Sequence, residues 1–182
     1  MKTCSFFGHR KIEETEELKS RLKSVIANLI ENEQVEVFLF GSRSDFNSLC
    51  HAIVTELKES HYPHIQRRAY TCRSETCTLE KDRTYWEKIY SRLKNRPTVL
   101  LGIEEEVEHK TKWTSGKAQY VKRNQAMIDD SDFCVFYYNE EYTPPLRKRS
   151  HNALSPYQPK SGTKLAYKYA TQKKKKIINL FK

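Results

Sequence analysis

The sequence predicts an α/β domain with a mostly parallel central sheet and helices on both faces. Two observations predict it. Apolar runs of strand length alternate with stretches of helical period, in the order strand, helix, strand, helix, strand. Clusters of glycine, serine and arginine also follow those apolar runs, as ligand-binding turns do beyond the carboxyl ends of parallel strands.

Residues 1–7 read as a short buried strand that ends at Gly8-His9-Arg10. Residues 13–32 read as a helix: Leu18, Leu22, Val25, Ile26, Leu29 and Ile30 fall on one face, and acidic residues crowd the first turn. Residues 35–40 form a second strand, stopped by Gly41-Ser42-Arg43-Ser44. Residues 47–60 form a second helix with Leu49, Ile53, Val54 and Leu57 inward, and 65–70 a third strand. Residues 79–93 carry Tyr85, Ile89 and Leu93 at four-residue steps and read as an amphipathic helix. A strand over 98–102, a helix over 115–129 and a strongly apolar strand over 132–138 follow. Residues 142–160 hold four of the six prolines and show neither period, which marks a long loop of the kind used as a lid or binding segment. A helix over 162–173 and a strand over 177–181 complete the chain.

A chain of 182 residues suits one domain, here 1–182, with 71–118 as a variable insertion region and 142–160 as a proline-rich loop. Apolar residues make up 37% and charged residues 31%, with a mean hydropathy of -0.81. No apolar run approaches the roughly 18–20 residues of a membrane span. The start turns charged at once and lacks the apolar core of a signal peptide, so a cytoplasmic protein with no membrane partner is expected. Five cysteines, Cys4, Cys50, Cys72, Cys77 and Cys134, fit reduced thiols. Cys72 and Cys77 are the one close pair, with no second pair to complete a zinc set, and no metal or cofactor is expected.

The net charge of +10 is unevenly placed. Residues 139–182 hold eleven Lys and Arg against two Glu, whereas residues 1–138 are nearly balanced. A local positive field suits an anionic partner such as a nucleotide or nucleic acid. Lys173 to Lys176 also stand where cations complement a helix C-terminus, so they read equally as solvated charges.

At the strand ends the candidates for an anionic ligand are Gly8, His9 and Arg10; Gly41, Ser42, Arg43 and Ser44; Asn139; and Ser161, Gly162 and Thr163 before the last helix. Glycine lets a backbone approach a ligand, hydroxyls cap helices, and arginine presents a planar fork to phosphate. Each turn alone is an ordinary turn or cap. Their collection at one sheet edge is the informative feature. Tyr120, Arg123, Asn124 and Met127 share a helix face just before the apolar 132–138 strand, so Arg123 and Asn124 join the set.

The segments "CSFFGHRKI", "FLFGSRSDFNSLCHAIVTELK", "YVKRNQAMIDDSDFCVFYYN" and "SGTKLAYKYATQKKKKIINL" resemble, in order, the SLOG superfamily, specifically its YpsA-like branch, distantly related to the LOG and DprA groups. The resemblance implies a Rossmann-like fold and a nucleotide-derived ligand held by the glycine-containing loops. LOG enzymes cleave the N-glycosidic bond of nucleoside monophosphates with an Arg and a Pro-Gly-Gly-x-Gly-Thr-x-x-Glu motif. Arg123 resembles that Arg, and Gly162 and Thr163 the Gly-Thr, but Ala166 stands where the enzymes have Glu. Alanine cannot stabilise the oxocarbenium character of glycosidic cleavage as a carboxylate does. Other SLOG domains serve as sensors of signalling nucleotides in bacterial immunity, including cyclic ADP-ribose-type molecules.

The favoured reading is therefore binding without turnover of a phosphorylated, nucleotide-like small molecule. Ser161, Gly162, Thr163, Ser42 and Arg43 would meet phosphate, Arg10 and Arg123 would neutralise charge, and Asn124 would bond ribose or base. The alternative is an N-glycoside hydrolase (phosphoribohydrolase) in which Asp45 supplies the carboxylate. A third reading is single-stranded nucleic-acid binding through the basic tail with Tyr167 and Tyr169, against which Tyr169 shares a core-facing period with Leu165 and Ala166. Family habit and the aromatic stretch Tyr85, Trp86 and Tyr90 suggest a homodimer or larger homo-oligomer.

Overall fold

The computed structural model describes residues 1–41, 44–72, 103–109, 117–148, 156–157 and 159–181. Among them the elements are β1 (Lys2–Gly8), α1 (Glu16–Glu31), β2 (Val35–Phe40), α2 (Asp45–Ser60), β3 (Gln66–Cys72), β4 (Glu105–His109), α3 (Lys117–Asp129), β5 (Phe133–Tyr137), β6 (Arg147–Lys148), β7 (Pro156–Tyr157), α4 (Gly162–Gln172) and β8 (Lys176–Asn179). The expected 79–93 helix and 98–102 strand lie outside the described residues, as do Ser42, Arg43, Cys77, Tyr85, Trp86 and Tyr90.

Six strands form one sheet in the order β4-β3-β2-β1-β5-β8, and every pair is parallel. The chain steps outward from β1 to β4 and then crosses back to place β5 on the other side of β1. The strand order therefore reverses between β1 and β5, and open α/β sheets bind ligands beyond the carboxyl ends of the strands at such a switch point. This is the expected Rossmann-like α/β fold, with segments 3–7, 36–40, 132–138 and 177–181 contributing to a single sheet.

Alternate residues of each strand supply the two faces. Cys4 and Phe6 of β1 and Phe133 and Val135 of β5 pack with Leu22, Ile26 and Leu29 of α1 and Phe46, Ile53 and Val54 of α2. Phe7 of β1 and Cys134 and Phe136 of β5 pack with Met127 and Ile128 of α3 and Ala166 and Ala170 of α4. Phe6 stacks between Phe38 and Phe40 with ring centroids 5.9 and 5.4 Å away. Burying one such ring is worth roughly 2–3 kcal/mol. Thr15 caps α1 by accepting from the Leu18 N–H, and Ser44 caps α2 by accepting from the Asn47 N–H.

The structure adds two features that the sequence reading lacks. The first is β4, whose Glu105-Glu106-Val107-Glu108-His109 has no apolar alternation. It lies at the sheet edge and is held by its cross-strand partners: Arg68 meets Glu105 at 2.6 Å and the Thr71 hydroxyl donates to Glu106 at 3.2 Å. Such pairs stabilise a strand that intrinsic preference disfavours. The second is a two-stranded antiparallel ribbon, β6 with β7, inside the proline-rich 142–160 segment expected to be a loop throughout. Among the described residues, no helix is long and apolar enough to cross a membrane, and no group of three or more His, Cys, Asp or Glu could hold a metal ion.

Candidate functional site

At the switch point, His9 follows β1 and Asn139 lies just beyond β5. The Asn139 N–H donates to His9 Nε2 at 3.0 Å. Accepting that bond requires an unprotonated Nε2, so the neutral ring carries its proton on Nδ1. Burial also lowers the His9 pKa from its ordinary value. The ring is 5% exposed, and Nδ1 has no protein partner among the described residues. Tyr142 lies against the ring at 4.1 Å between centroids, and Tyr138 lies 6.1 Å away. Tyr138 in turn packs on Tyr167 of α4 at 4.7 Å.

Two helix N-termini face this edge of the sheet. In the first turn of α2, the Asp45 N–H donates to the Arg10 carbonyl at 2.9 Å, and Asn47 Nδ2 donates to the Phe6 carbonyl at 3.1 Å. These bonds tie the turn after β1 to the start of α2. Gly8 is a packing requirement of the same junction, because a Cβ there would stand 2.4 Å from Phe46 Cβ. The Arg10 side chain is exposed. At α4, Ser161 accepts from the Lys164 N–H at 3.3 Å, and Thr163 is buried. A Cβ on Gly162 would meet nothing within 4 Å. The Gly162 and Thr163 amides belong to the first turn, where no intrahelical partner exists.

Arg123 and Met127 of α3 cross the end of β2 and are buried. A Cβ on Gly41 would stand 2.6 Å from Met127 Sδ and 3.2 Å from Arg123 Nε, so the bare backbone of Gly41 makes room for both. Arg123 donates to Asn124 Oδ1 at 3.2 Å and lies over the Tyr120 ring at 5.5 Å. The helix face read as one unit therefore divides: Tyr120 is exposed while Arg123 and Met127 turn to the sheet. Asn124 lines a shallow groove with Val121, Gln125, Gly162, Leu165 and Ala166. Asn124 and Gly162 thus line the same groove between α3 and α4. Asn139 spends its side chain on a local turn, accepting from the Glu141 N–H at 2.9 Å.

The lysine run lies at the far end of α4 and has specific partners. Lys175 Nζ donates to the carbonyls of Asp129 and Ser131 at 2.9 and 2.7 Å, closing the C-terminus of α3. Lys173 pairs with Asp129 at 3.0 Å and Lys176 with Glu33 at 3.3 Å. Lys174 takes φ 54, the left-handed conformation that often ends a helix. These contacts within the chain account for three of the four lysines without an anionic ligand. Tyr169 packs half-buried against the core cluster that holds Ala166, as its period predicts, and its hydroxyl donates to Asp129 at 2.9 Å.

Tyr138, Tyr142, Asn47 and Asn179 border or support the edge and were absent from the sequence-derived set. Asn179 alone left a trace, as the one polar residue inside "IINLF". The cysteines offer little chemistry. Burial pushes the Cys4 and Cys50 thiols well above their ordinary value and that of Cys134 to about 11, so none of these is a thiolate near neutral pH.

The sequence profile described as the YspA SLOG family (YpsA) matches residues 4–153. The chain belongs to this SLOG family. No curated protein matches the sequence. The matched span of the SLOG domain contains His9, Arg123, Asn139 and Tyr142 and ends before Ser161. The likeness of Gly162 and Thr163 to the LOG motif thus rests on those residues themselves. Ala166, at the position of the LOG carboxylate, is 4% exposed and packs in the core beneath α4.

Proposed function

We propose that this SLOG domain binds a phosphorylated, nucleotide-derived ligand beyond the carboxyl ends of β1 and β5 and does not turn it over. One observation carries the reading: a neutral, position-locked His9 and the open first turn of α4 both border the same end of the sheet. A helix N-terminus of this kind favours an anion through its free amides and dipole. Arg10, which follows His9, is exposed and available for charge neutralisation. Ala166 supports binding without turnover, since no carboxylate can act from that position. Without turnover, the role is that of a sensor or sequestering protein for a signalling nucleotide, of which cyclic ADP-ribose-type molecules are one class.

Mass spectrometry of small molecules released by denaturing freshly purified protein tests this directly. A phosphorylated nucleotide derivative in stoichiometric amount is expected, and titration calorimetry should then recover its binding. Protein that releases none, and that binds no member of a nucleotide panel, overturns the proposal.

A hydrolase reading has one observation in its favour. Asp45 stands half-buried in the first turn of α2, with its backbone on Arg10, at the same edge as His9. Incubation with a panel of nucleoside monophosphates decides between the two readings. No release of ribose 5-phosphate is expected, whereas turnover abolished by Asp45→Ala would assign the carboxylate to that residue.

A further inference from the structure

We infer that His9 and Tyr142 form a stacking clamp for the planar base of the ligand, with Tyr142 as its movable jaw. The inference rests on the ligand reading above and names the part of the ligand that this corner takes. His9 is the fixed jaw. It leaves β1 directly, its Nε2 is held by the Asn139 N–H, and its ring is 5% exposed. Tyr142 is the opposite case. It belongs to no strand or helix, and among the described residues its side chain is held to the domain by ring contact rather than by a hydrogen bond of its hydroxyl. It is 37% exposed.

The spacing determines what must happen when a base enters. The two rings are 4.1 Å apart at an angle of 40°. A planar group between them needs about 7 Å, two contact layers of about 3.5 Å. His9 cannot retreat without breaking its bond to Asn139 and disturbing β1. Tyr142 must therefore swing outward by about 3 Å and re-stack on the outer face of the base. Its backbone supports a pivot at this place: the Tyr142 N–H donates to the Asn139 carbonyl at 3.2 Å, so the segment is anchored just before the moving ring.

The chemistry of the jaws favours an aromatic heterocycle. The neutral His9 ring offers a π-face and a Nδ1–H donor without a protein partner among the described residues. Tyr138 and Tyr167 extend the aromatic wall toward α4, whose N-terminus would receive the phosphate end. A sugar phosphate without a base gains nothing from stacked rings. The clamp therefore separates base-bearing ligands from ribose phosphates by contact with Tyr142.

Calorimetry on the full chain with two probes, ADP-ribose and ribose 5-phosphate, tests the clamp. Tyr142→Ala should weaken ADP-ribose binding by about three- to tenfold, the range expected for one lost aromatic stack, and Tyr142→Phe should retain it. Ribose 5-phosphate should bind Tyr142→Ala and the parent protein alike. ADP-ribose bound equally by parent and Tyr142→Ala would overturn the clamp and leave the ligand site intact. Equal losses for both probes would also overturn it, because the residue would then act on the phosphate end or on folding. Failure of the parent protein to bind ADP-ribose overturns the clamp for this base, whereas the ligand reading falls only if the whole nucleotide panel also fails to bind.

Discussion

The carboxamide of Asn179 holds both backbone groups of Tyr138: its Oδ1 accepts from the Tyr138 N–H and its Nδ2 donates to the Tyr138 carbonyl, each at 3.0 Å. A side chain here continues the β5–β8 ladder where the backbone pairing of the two strands stops at Phe136 and Asn179. It holds the end of β5 one residue before Asn139, and so keeps the donor of His9 in place.

Replacing Asn179 with alanine removes these two hydrogen bonds and a third, from the Phe181 N–H to Oδ1 at 3.3 Å, all at least partly in solvent. At up to about 1 kcal/mol each, Asn179→Ala should lose roughly 2–3 kcal/mol of stability. Asn179→Asp keeps the acceptor for the Tyr138 N–H but loses the donor, and should fall between. Urea unfolding midpoints read both, with unchanged slopes expected.

Gly8 and Gly162 should respond oppositely to the same substitution. Gly8→Ala drives a Cβ to 2.4 Å from Phe46 Cβ, an atom close to the backbone that cannot swing away. A loss of about 1–3 kcal/mol is expected. At Gly162 the space is open, so Gly162→Ala should be neutral or stabilising by about 0.5 kcal/mol. The open space also means that Gly162→Glu will fold, with its carboxylate favourably placed at a helix N-terminus. It should still abolish nucleotide binding by occupying the place of a phosphate, and unchanged calorimetric affinity in this folded variant would remove α4 from the site.

Stability should fall on mild acidification through His51. The residue is 1% exposed on α2, edge-on to Phe40, and both ring nitrogens lack a protein partner among the described residues. Burial, and then the nearby Arg67 charge, bring its pKa down from 6.5 to about 4, with Glu104 opposing. The unfolded chain therefore binds the proton more tightly. The group's contribution is complete above pH 6.5, declines as the pH falls toward 4, and amounts in total to about 3 kcal/mol. His51→Leu should remove this term. Unfolding at pH 7.5 and 4.5 should show the variant losing about 2–3 kcal/mol less than the parent protein between the two conditions.

The lysine run should matter for stability and little for binding. Lys175→Gln removes a cation from two carbonyls at the end of α3, a loss of about 1–2 kcal/mol. Lys174→Gln, at an exposed position, should change stability by less than about 0.5 kcal/mol. Calorimetry with a nucleotide ligand should give similar affinities for both variants, and a large loss of affinity would restore the nucleic-acid reading of the basic tail.

The sheet and its helices were legible because their signals are local. Leu22, Ile26 and Leu29 report one buried helix face whatever lies beneath it, and the continuous apolar run from Phe133 to Phe136 reports a strand buried on both sides. Ser161 was legible as a cap for the same reason, since it bonds an amide three residues on, whereas Ser44, read as part of a turn, caps a helix that starts two residues earlier than its apolar period shows. β4 was not, because its glutamates gain their place only from Arg68 and Thr71 across the ladder. Gly8 and Gly41 stood out in the sequence as turn glycines, but tertiary structure decided what they do: each makes room for a neighbouring helix, one for Phe46 and the other for Met127 and Arg123. The meeting of His9 with Asn139 spans 130 residues of sequence, and that of Tyr138 with Asn179 spans 41. Periodicity and turn chemistry act over a few residues, whereas strand order brings distant residues together. The sequence alone thus determined which segments are buried and where the chain turns, and the crossing from β4 back to β5 decided which of those turns share a site.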